Sequence, residues 1–275
     1  MTTIRHLLEN LLATASILEV RDFITYLWVF LSNAKKIVSS KSLHPADQAF
    51  MDGRDLLKVK VMGKDILLKQ PDFGLVRELY GRLIYFPSPM FTPPTGSKVI
   101  DLGANAGLVS ILCAKLEAVV LAVEAQSGFM EIAKDLSVLN GVEDRIRLVH
   151  ALVGASTGIF SKIDLRHSSN HWVNDPPEVS MAELLNGFLR HKGETVHLLK
   201  MDIEGSEFDL FEKDISWLDK VRHISMEVHP DFGDVTVIRD RISRAGFLCD
   251  LVPSWREKGI PTRYPGFLFA SRNGC

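Results

Sequence analysis

From Lys98 onward, short apolar runs alternate with segments of helical period, and this alternation constrains the fold more than any other feature. The apolar runs are KVIDL, AVVLAVEA, RIRLVHALV, TVHLLKMDI and VRHISMEVH. Near-continuous apolar strands that alternate with amphipathic helices are typical of a parallel sheet covered on both faces. Two further runs, FLCDLV and PGFLFAS, have no helical pattern between them and predict an antiparallel terminal hairpin. The sequence therefore predicts an α/β fold.

The first part of the chain has a different pattern. Leucine and alanine recur at three- and four-residue steps over positions 7 to 18, which predicts an amphipathic helix. A second helix is predicted from Val20 to Val38. Alternating apolar residues from Leu57 to Leu68 predict a short hairpin, and a further helix is predicted around Leu75 to Leu83.

A proline-rich bridge, YFPSPMFTPPTGS, separates these two patterns. Its four prolines cannot continue a helix or sit in a central strand, so we predict the main domain boundary near Thr95. Residues 1–94 would form a helical and hairpin segment, and residues 95–275 the larger domain. The apolar stripe of the N-terminal helices must be buried against something, which predicts a cap over an acceptor pocket or a homodimer face.

Charge and composition exclude several functions. The chain has 32 Lys and Arg against 34 Asp and Glu, a net charge of -2, so nucleic acid is a poor partner. The run FITYLWVFL has nine residues, whereas a bilayer core needs about 20, which argues against stable membrane insertion. Three scattered cysteines form no metal-ligand spacing and predict reduced thiols in the cytoplasm.

The stretch VIDLGANAG, residues 99–107, turns a buried strand into a helix and predicts a ligand site. The dinucleotide fingerprint needs glycine at positions 103, 105 and 108, but the chain has Asn105 and Leu108. The strand-end carboxylate of Asp101 suits a cationic ligand group, so S-adenosylmethionine fits better than a dinucleotide. Glu124 lies 21 residues after Gly103, where an acid can accept hydrogen bonds from ribose hydroxyls.

Three stretches together resemble the FkbM family of S-adenosylmethionine-dependent methyltransferases. They are VIDLGANAG (99–107), VEAQ (123–126) and LLKMDIEGSEFDLF (198–211), and MEVHP (226–230) is also similar to the family pattern. The resemblance covers roughly Leu57 to Val252. It implies a Rossmann-like class I methyltransferase fold and transfer of a methyl group, usually to a hydroxyl oxygen.

The resemblance also implies a set of cofactor contacts. Backbone groups near Ala151 and Leu152 are expected to hold the adenine, because the third strand ends without an acid. The predicted cofactor-binding residues are Asp101, Gly103, Ala104, Asn105, Gly107, Glu124, Ala125, Gln126, Ala151, Leu152 and Asp202.

An alcohol is a weak nucleophile, so a base near the acceptor is expected at the strand ends. Asp202 can act as base, orienting group or cofactor contact, and Glu204 either joins it or stabilises the helix start. His229 follows the fifth strand and is a second candidate base, as is His171 in the polar segment 164–172. For Glu207 we expect helix capping.

Asp202, Glu227 and His229 could also converge on a divalent cation, but no metal-binding motif of recognised spacing is present and we predict none.

These observations predict an S-adenosylmethionine-dependent O-methyltransferase that acts on a small molecule, sugar or natural product. Two alternatives stay open. One is an NAD-dependent oxidoreductase, against which the incomplete glycine fingerprint argues. The other is a catalytically silent, methyltransferase-like interaction module.

Overall fold

The computed structural model describes residues 2–154, 176–253 and 265–272. The chain divides into two compact units, Met1–Ile84 and Tyr85–Cys275. The second unit thus begins before residue 95, where the sequence predicts the boundary. The reason is that the proline-rich bridge packs on the sheet of the second unit: the ring of Tyr85 lies 5.8 Å from that of Phe267, and Phe91 lies 5.8 Å from Phe269.

The first unit contains helices and a hairpin, as its sequence pattern predicts. The helices are α1 (Thr2–Ile17), α2 (Val20–Ser32), α3 (Ala34–Ser40), α4 (His44–Met51) and α5 (Phe73–Val76), which a π-helical turn (Arg77–Gly81) extends; the hairpin strands are β1 (Leu56–Val61) and β2 (Lys64–Lys69). The single helix predicted from residue 20 to 38 is two helices that meet at Asn33. The Asn33 side chain donates to the carbonyl of Val29 at 2.9 Å, a local bond that favours ending the helix there.

The aromatic core of the first unit contains a buried ion pair. Arg77 donates to both carboxylate oxygens of Asp47, at 2.6 and 2.8 Å, and the hydroxyl of Tyr26 donates to Asp47 at 2.8 Å. The rings of Phe50 and Phe73 pack around Tyr26 at 5.3 and 5.5 Å. Each buried polar group in this cluster therefore has a partner, which buried charges need.

The second unit is a seven-stranded sheet with helices in the connections. Its strands are β3 (Lys98–Leu102), β4 (Val119–Glu124), β5 (Ile146–His150), β6 (Val196–Met201), β7 (Val221–Glu227), β8 (Phe247–Pro253) and β9 (Pro265–Arg272). The helices are α6 (Leu108–Lys115), α7 (Ser127–Leu139), α8 (Met181–Phe188), α9 (Ser206–Glu212) and α10 (Val235–Arg244). The strand order is β5-β4-β3-β6-β7-β9-β8.

This topology confirms the predicted α/β fold. Strands β3 to β7 are parallel, and β9 pairs antiparallel with both β7 and β8. The chain runs from β3 to β4 and β5 on one side, then returns to place β6 and β7 on the other. Ligands of such sheets bind where the order reverses, beyond the carboxyl ends of the central strands. The ends of β3 and β6 are therefore the expected position of the site.

Among the described residues, no helix combines the length and the apolar composition that crossing a membrane requires.

His223 on β7 is a buried titratable group away from that edge. It is 3% exposed, its Nδ1 makes no hydrogen bond to any residue that the structure describes, and its ring lies 4.8 Å from that of His197. Burial, followed by the charges of His197 and Arg222, lowers the pKa of His223 to about 4. The folded chain therefore keeps this ring neutral at pH values where an unfolded histidine is protonated.

His223 should make the free energy of unfolding depend on pH. Because its folded pKa lies below the unfolded value of about 6.5, stability from this group is complete above pH 6.5 and is lost as pH falls toward 4. Urea unfolding at several pH values should show a slope of up to about 1.4 kcal/mol per pH unit from this group. The slope should shrink in His223→Gln and persist in the exposed control His191→Gln; equal slopes in all three proteins would contradict the assignment.

Candidate active site

The turn after β3 brings its backbone against the end of β6. Gly103 has φ of 69°, and a Cβ atom there would overlap the carbonyl oxygen of Asp202. The backbone N–H groups of Gly103 and Ala104 donate to the carbonyl of Val123, at 2.9 and 3.0 Å. Glycine is thus required at 103 both by the positive φ and by the close approach of β6.

The rest of the turn continues into helix α6. Asn105 has φ of 51°, and its side-chain oxygen accepts from the N–H of Ala106 at 2.6 Å. Gly107 caps the helix with φ of 77°, and a Cβ there would lie 2.9 Å from the Cβ of Ala133 on α7. Ala104 is buried, so Ala104 and Gly107 shape the turn instead of lining the pocket beside it.

Glu124 ends β4 and faces this turn. Its Oε2 accepts from the N–H of Asn105 and its Oε1 from the N–H of Gln126, both at 2.8 Å. Burial raises the pKa of Glu124, while these backbone bonds act in the opposite direction. Each carboxylate oxygen can accept more than one hydrogen bond, so the fixed carboxylate can also bind a pair of ligand hydroxyls.

A pocket of about 700 Å³ lies beside Glu124 at the carboxyl edge of the sheet. It is lined by nine predicted site residues, namely Gly103, Asn105, Glu124, Ala125, Gln126, Ala151, Leu152, Asp202 and Glu204. Three apolar residues that the sequence did not single out, Val123, Val153 and Ile203, complete the lining.

One predicted backbone contact is already used within the chain. The N–H of Leu152 donates to the carbonyl of Pro177, and its carbonyl accepts from Val179, both at 2.9 Å. Leu152 thus offers the pocket its apolar side chain.

Asp101 does not line the pocket, although the resemblance implies a cofactor contact there. It is fully buried, forms an ion pair with Lys200 at 3.1 Å and accepts from the hydroxyl of Ser110 at 2.7 Å. Lys200 in turn donates to the carbonyl of Gly103 at 2.7 Å. Burial acts against a charge on Lys200, but Asp101 outweighs it and the pKa of Lys200 is raised. In this structure Asp101 therefore supports the turn from beneath.

Asp202, Glu204 and His229 come together at the ends of β6 and β7. Nε2 of His229 lies 3.8 Å from Oδ1 of Asp202 and 3.4 Å from Oε2 of Glu204. Asp202 and Glu204 also line the pocket, so this acid–histidine cluster is continuous with it.

Glu207 fixes the ring of His229. Its carboxylate is fully buried; Oε1 accepts from Nδ1 and from the backbone N–H of His229, at 3.0 and 2.9 Å, and Oε2 accepts from the N–H of Gly205 at 2.8 Å. Burial disfavours a charged ring, but the bond with Glu207 and the charges of Glu207, Asp202 and Glu204 together outweigh burial and raise the pKa of His229 to about 9. A ring that is already protonated cannot accept a proton, so in this state the role of base falls to the carboxylates.

Tyr85 is a site residue that sequence reasoning missed. Its buried hydroxyl donates to Oδ2 of Asp202 at 3.0 Å and lies 3.4 Å from Oε2 of Glu227. Burial and these two carboxylates raise the pKa of Tyr85 well above its ordinary value, so the hydroxyl keeps its proton. The proline-rich bridge carries no motif that points to Tyr85. Glu207 had a signal, its place in the EGSE segment, but its contact with His229 needs the fold.

Two sequence expectations fall elsewhere. His171 and the segment 164–172 lie outside the described residues. The sequence places Glu227 with Asp202 and His229 as a group that could converge on a divalent cation. In the structure Glu227 contacts Tyr85, and Glu204 is the third member of the cluster.

The family model for the methyltransferase FkbM domain matches residues 101–249, which include the glycine turn, Glu124 and the acid–histidine cluster. The chain belongs to the FkbM methyltransferase family. It is an S-adenosylmethionine-dependent methyltransferase, as the resemblance implied. A search of curated proteins finds no significant match.

Solved methyltransferase structures resemble the FkbM chain only distantly. A precorrin-6y C5,15-methyltransferase from Geobacter metallireducens is 11% identical, with a TM-score of 0.41 over 70% of this chain and 87% of the other. An rRNA methylase from Streptococcus thermophilus is 13% identical, with 0.42 over 66% and 90%. An O-methyltransferase from Bacillus cereus in complex with SAH is 16% identical, with 0.38 over 64% and 73%.

The pocket of this FkbM methyltransferase suits its cofactor. The carboxylate of Glu124 can accept hydrogen bonds from ribose hydroxyls, and the apolar side chains of Leu152, Val153 and Ile203 can pack against a purine. Asp202 adds a carboxylate on the side where the pocket meets the cluster, which suits a cationic group.

Replacing Glu124 by Gln should weaken cofactor binding. The amide loses the charge and sets a donor against one of two backbone N–H groups, so we expect the Kd of S-adenosylhomocysteine, measured by calorimetry, to rise about 10- to 100-fold. Glu131→Gln, an exposed change on α7, is the matched control and should bind normally. Unchanged affinity in a folded Glu124→Gln protein would remove Glu124 from the cofactor site.

Proposed function

We propose that this methyltransferase methylates a hydroxyl oxygen of a small molecule or sugar. The observation that supports this most is the position of Asp202, whose carboxylate both lines the cofactor pocket and belongs to the acid–histidine cluster. A hydroxyl acceptor needs a hydrogen-bond acceptor beside the methyl donor to orient it and to take its proton.

The cofactor, when bound, supplies a methyl group made electrophilic by its sulfonium. The chain's own residues then orient the acceptor. Tyr85 donates to Oδ2 of Asp202 and orients the carboxylate, and Oδ2 keeps a second lone pair with which it takes the hydroxyl proton. Asp202 would then hold the proton that the hydroxyl loses as it accepts the methyl group, and the products would be a methyl ether and S-adenosylhomocysteine.

The charge of the site supports a small acceptor over a nucleic acid. Asp202 and Glu204 present carboxylates at the pocket, and the whole chain carries a net charge of -2. Both features repel a phosphate backbone. The free thiols of Cys113 and Cys249 agree with the proposed cytoplasmic location.

The two alternative functions differ in standing. Membership of the methyltransferase family leaves no support for the oxidoreductase. A catalytically silent module would bind cofactor without turnover, so an activity measurement separates it from the proposal.

Asp202→Asn should lower kcat about 10²- to 10³-fold, because the amide cannot take the acceptor proton. Formation of S-adenosylhomocysteine would be followed with sugars, hydroxy acids, catechols and primary amines as acceptors, and mass spectrometry would locate the new methyl group. The exposed change Asp144→Asn should leave kcat unaltered. Methylation of nitrogen alone would overturn the hydroxyl proposal, and full turnover in Asp202→Asn would exclude Asp202 as the base.

The homodimer through the N-terminal helices is also a proposal. It is supported by large apolar side chains on α1 and α2 that are exposed, with Leu12 at 71%, Val20 at 77% and Trp28 at 70%. Such a stripe is unusual on a monomer surface. Sedimentation velocity should show a dimer for the full chain and a monomer for Trp28→Asp, with Val237→Asp, at an exposed apolar position on α10, as the control. A parent chain that sediments as a monomer would exclude the dimer.

A further inference from the structure

We propose that Asp202, Glu204 and His229 bind a divalent cation of the Mn²⁺ type, which positions an acceptor through two neighbouring oxygen atoms. One ligand atom from each residue lies within 4.8 Å of the others. Ligands on opposite sides of an ion bound at about 2.1 to 2.4 Å are separated by roughly that distance, so one ion can reach all three. The substrate part of this proposal rests on the proposed methylation of a hydroxyl.

The surroundings of His229 match those of a metal ligand. Metal-binding histidines usually donate their second ring N–H to a carboxylate, which fixes the ring and its tautomer. Here Glu207 accepts from Nδ1 at 3.0 Å, and Glu207 is itself fully buried and held by Gly205. Nε2 is thereby directed at Asp202 and Glu204.

Asp202 is oriented in the same way. Tyr85 donates to Oδ2 at 3.0 Å, which turns Oδ1 toward His229. Oδ1 is buried and has no hydrogen bond among the described residues. A buried carboxylate oxygen without a donor is costly, and a bound cation would supply the missing partner.

A protonated His229 is the competing explanation of how the carboxylates in the cluster are stabilised. The distances show that one imidazolium does not satisfy all of them. Nε2 is 3.4 Å from Glu204 but 3.8 Å from Oδ1 of Asp202, which is too long for a hydrogen bond. One imidazolium therefore leaves Oδ1 unsatisfied. A cation between the three ligand atoms satisfies all of them, with neutral Nε2 as a ligand. One imidazole with two carboxylates suits Mn²⁺ better than Ca²⁺, which prefers oxygen ligands alone.

The cation specifies a substrate class. It would lie at the ends of β6 and β7, next to the pocket, with coordination positions left for ligands from outside the chain. An acceptor with two adjacent oxygens, such as a vicinal diol, a catechol or an α-hydroxy acid, can chelate it. Coordination lowers the pKa of the hydroxyl and holds its oxygen toward the methyl donor.

Mn²⁺ binding to the full chain, followed by electron paramagnetic resonance without turnover, tests the site directly. We expect one ion per chain and nitrogen couplings from an imidazole ligand. The couplings should vanish in His229→Gln, and Kd should rise at least 10-fold in His229→Gln and in Glu204→Gln. Glu204 is exposed, so its substitution spares the fold. Glu207 is a positioning residue, and Glu207→Gln should weaken binding about 10- to 100-fold.

Glu212→Gln, an exposed change on the same helix as Glu207, is the matched control and should bind Mn²⁺ normally. Thermal unfolding, measured in each variant, reports that the fold is intact. No binding by the parent, or the same Kd in the parent and both ligand variants, would overturn the metal site.

Different results would contradict the substrate class and the proposed function. Mn²⁺ should raise methylation of a catechol or vicinal diol at least 10-fold more than methylation of an isolated alcohol. Equal stimulation would overturn the chelating class. If Mn²⁺ binds as described but no hydroxyl is methylated, the metal site stands and the proposed function falls.

Discussion

The buried ion pair between Asp101 and Lys200 is the interaction on which the site depends. The two residues are register partners on the adjacent central strands β3 and β6, and their charged atoms lie 3.1 Å apart. Lys200 also donates to the carbonyl of Gly103, so one ammonium connects both strand ends to the glycine turn. Removing one member of such a pair leaves a buried charge, at a cost of about 3–5 kcal/mol. The geometry on either side of the turn follows from this contact.

On one side of the turn lies Glu124, and on the other lies Asp202. The backbone of Asn105 binds Glu124, while the carbonyl of Asp202 closes against Gly103. The glycine turn thus contacts two residues that line the same pocket, and Asp202 also belongs to the acid–histidine cluster. Glycine at position 103 allows strands β3 and β6 to approach, because any side chain there would separate them.

Periodicity was enough to predict the strands, because buried parallel strands are nearly all apolar and contrast with the helices between them. The break between helices α2 and α3 at Asn33 depends on one side-chain hydrogen bond, and hydrophobic periodicity does not reveal such a bond. Within the site, Glu124 could be predicted because its spacing from the glycine turn reflects a single strand–helix–strand unit. Asp101 carries the same kind of signal, yet its carboxylate is bound by Lys200, a partner on the adjacent strand β6 that lies far along the sequence. Tyr85 had no signal at all, since its contact with Asp202 crosses 117 positions of sequence.

The charge of the cluster gives the reason why it should bind a positive group. Asp202 and Glu204 follow β6, Glu207 lies in the first turn of α9, and Glu227 ends β7. The charge of Asp202 acts on the cationic side chains of Lys200 and His229. Lys200 is bound to Asp101, so it serves the turn more than the cluster. A single imidazolium then faces the carboxylates of Asp202, Glu204 and Glu207, of which Glu207 is fully buried and Asp202 is partly buried. A low local dielectric makes an excess of negative charge energetically unfavourable, and the proposed divalent cation would offset it with one bound ion. The same cation would bind the acceptor oxygen near the methyl donor. One bound ion would therefore both offset the negative charge around Asp202 and orient the acceptor for methylation.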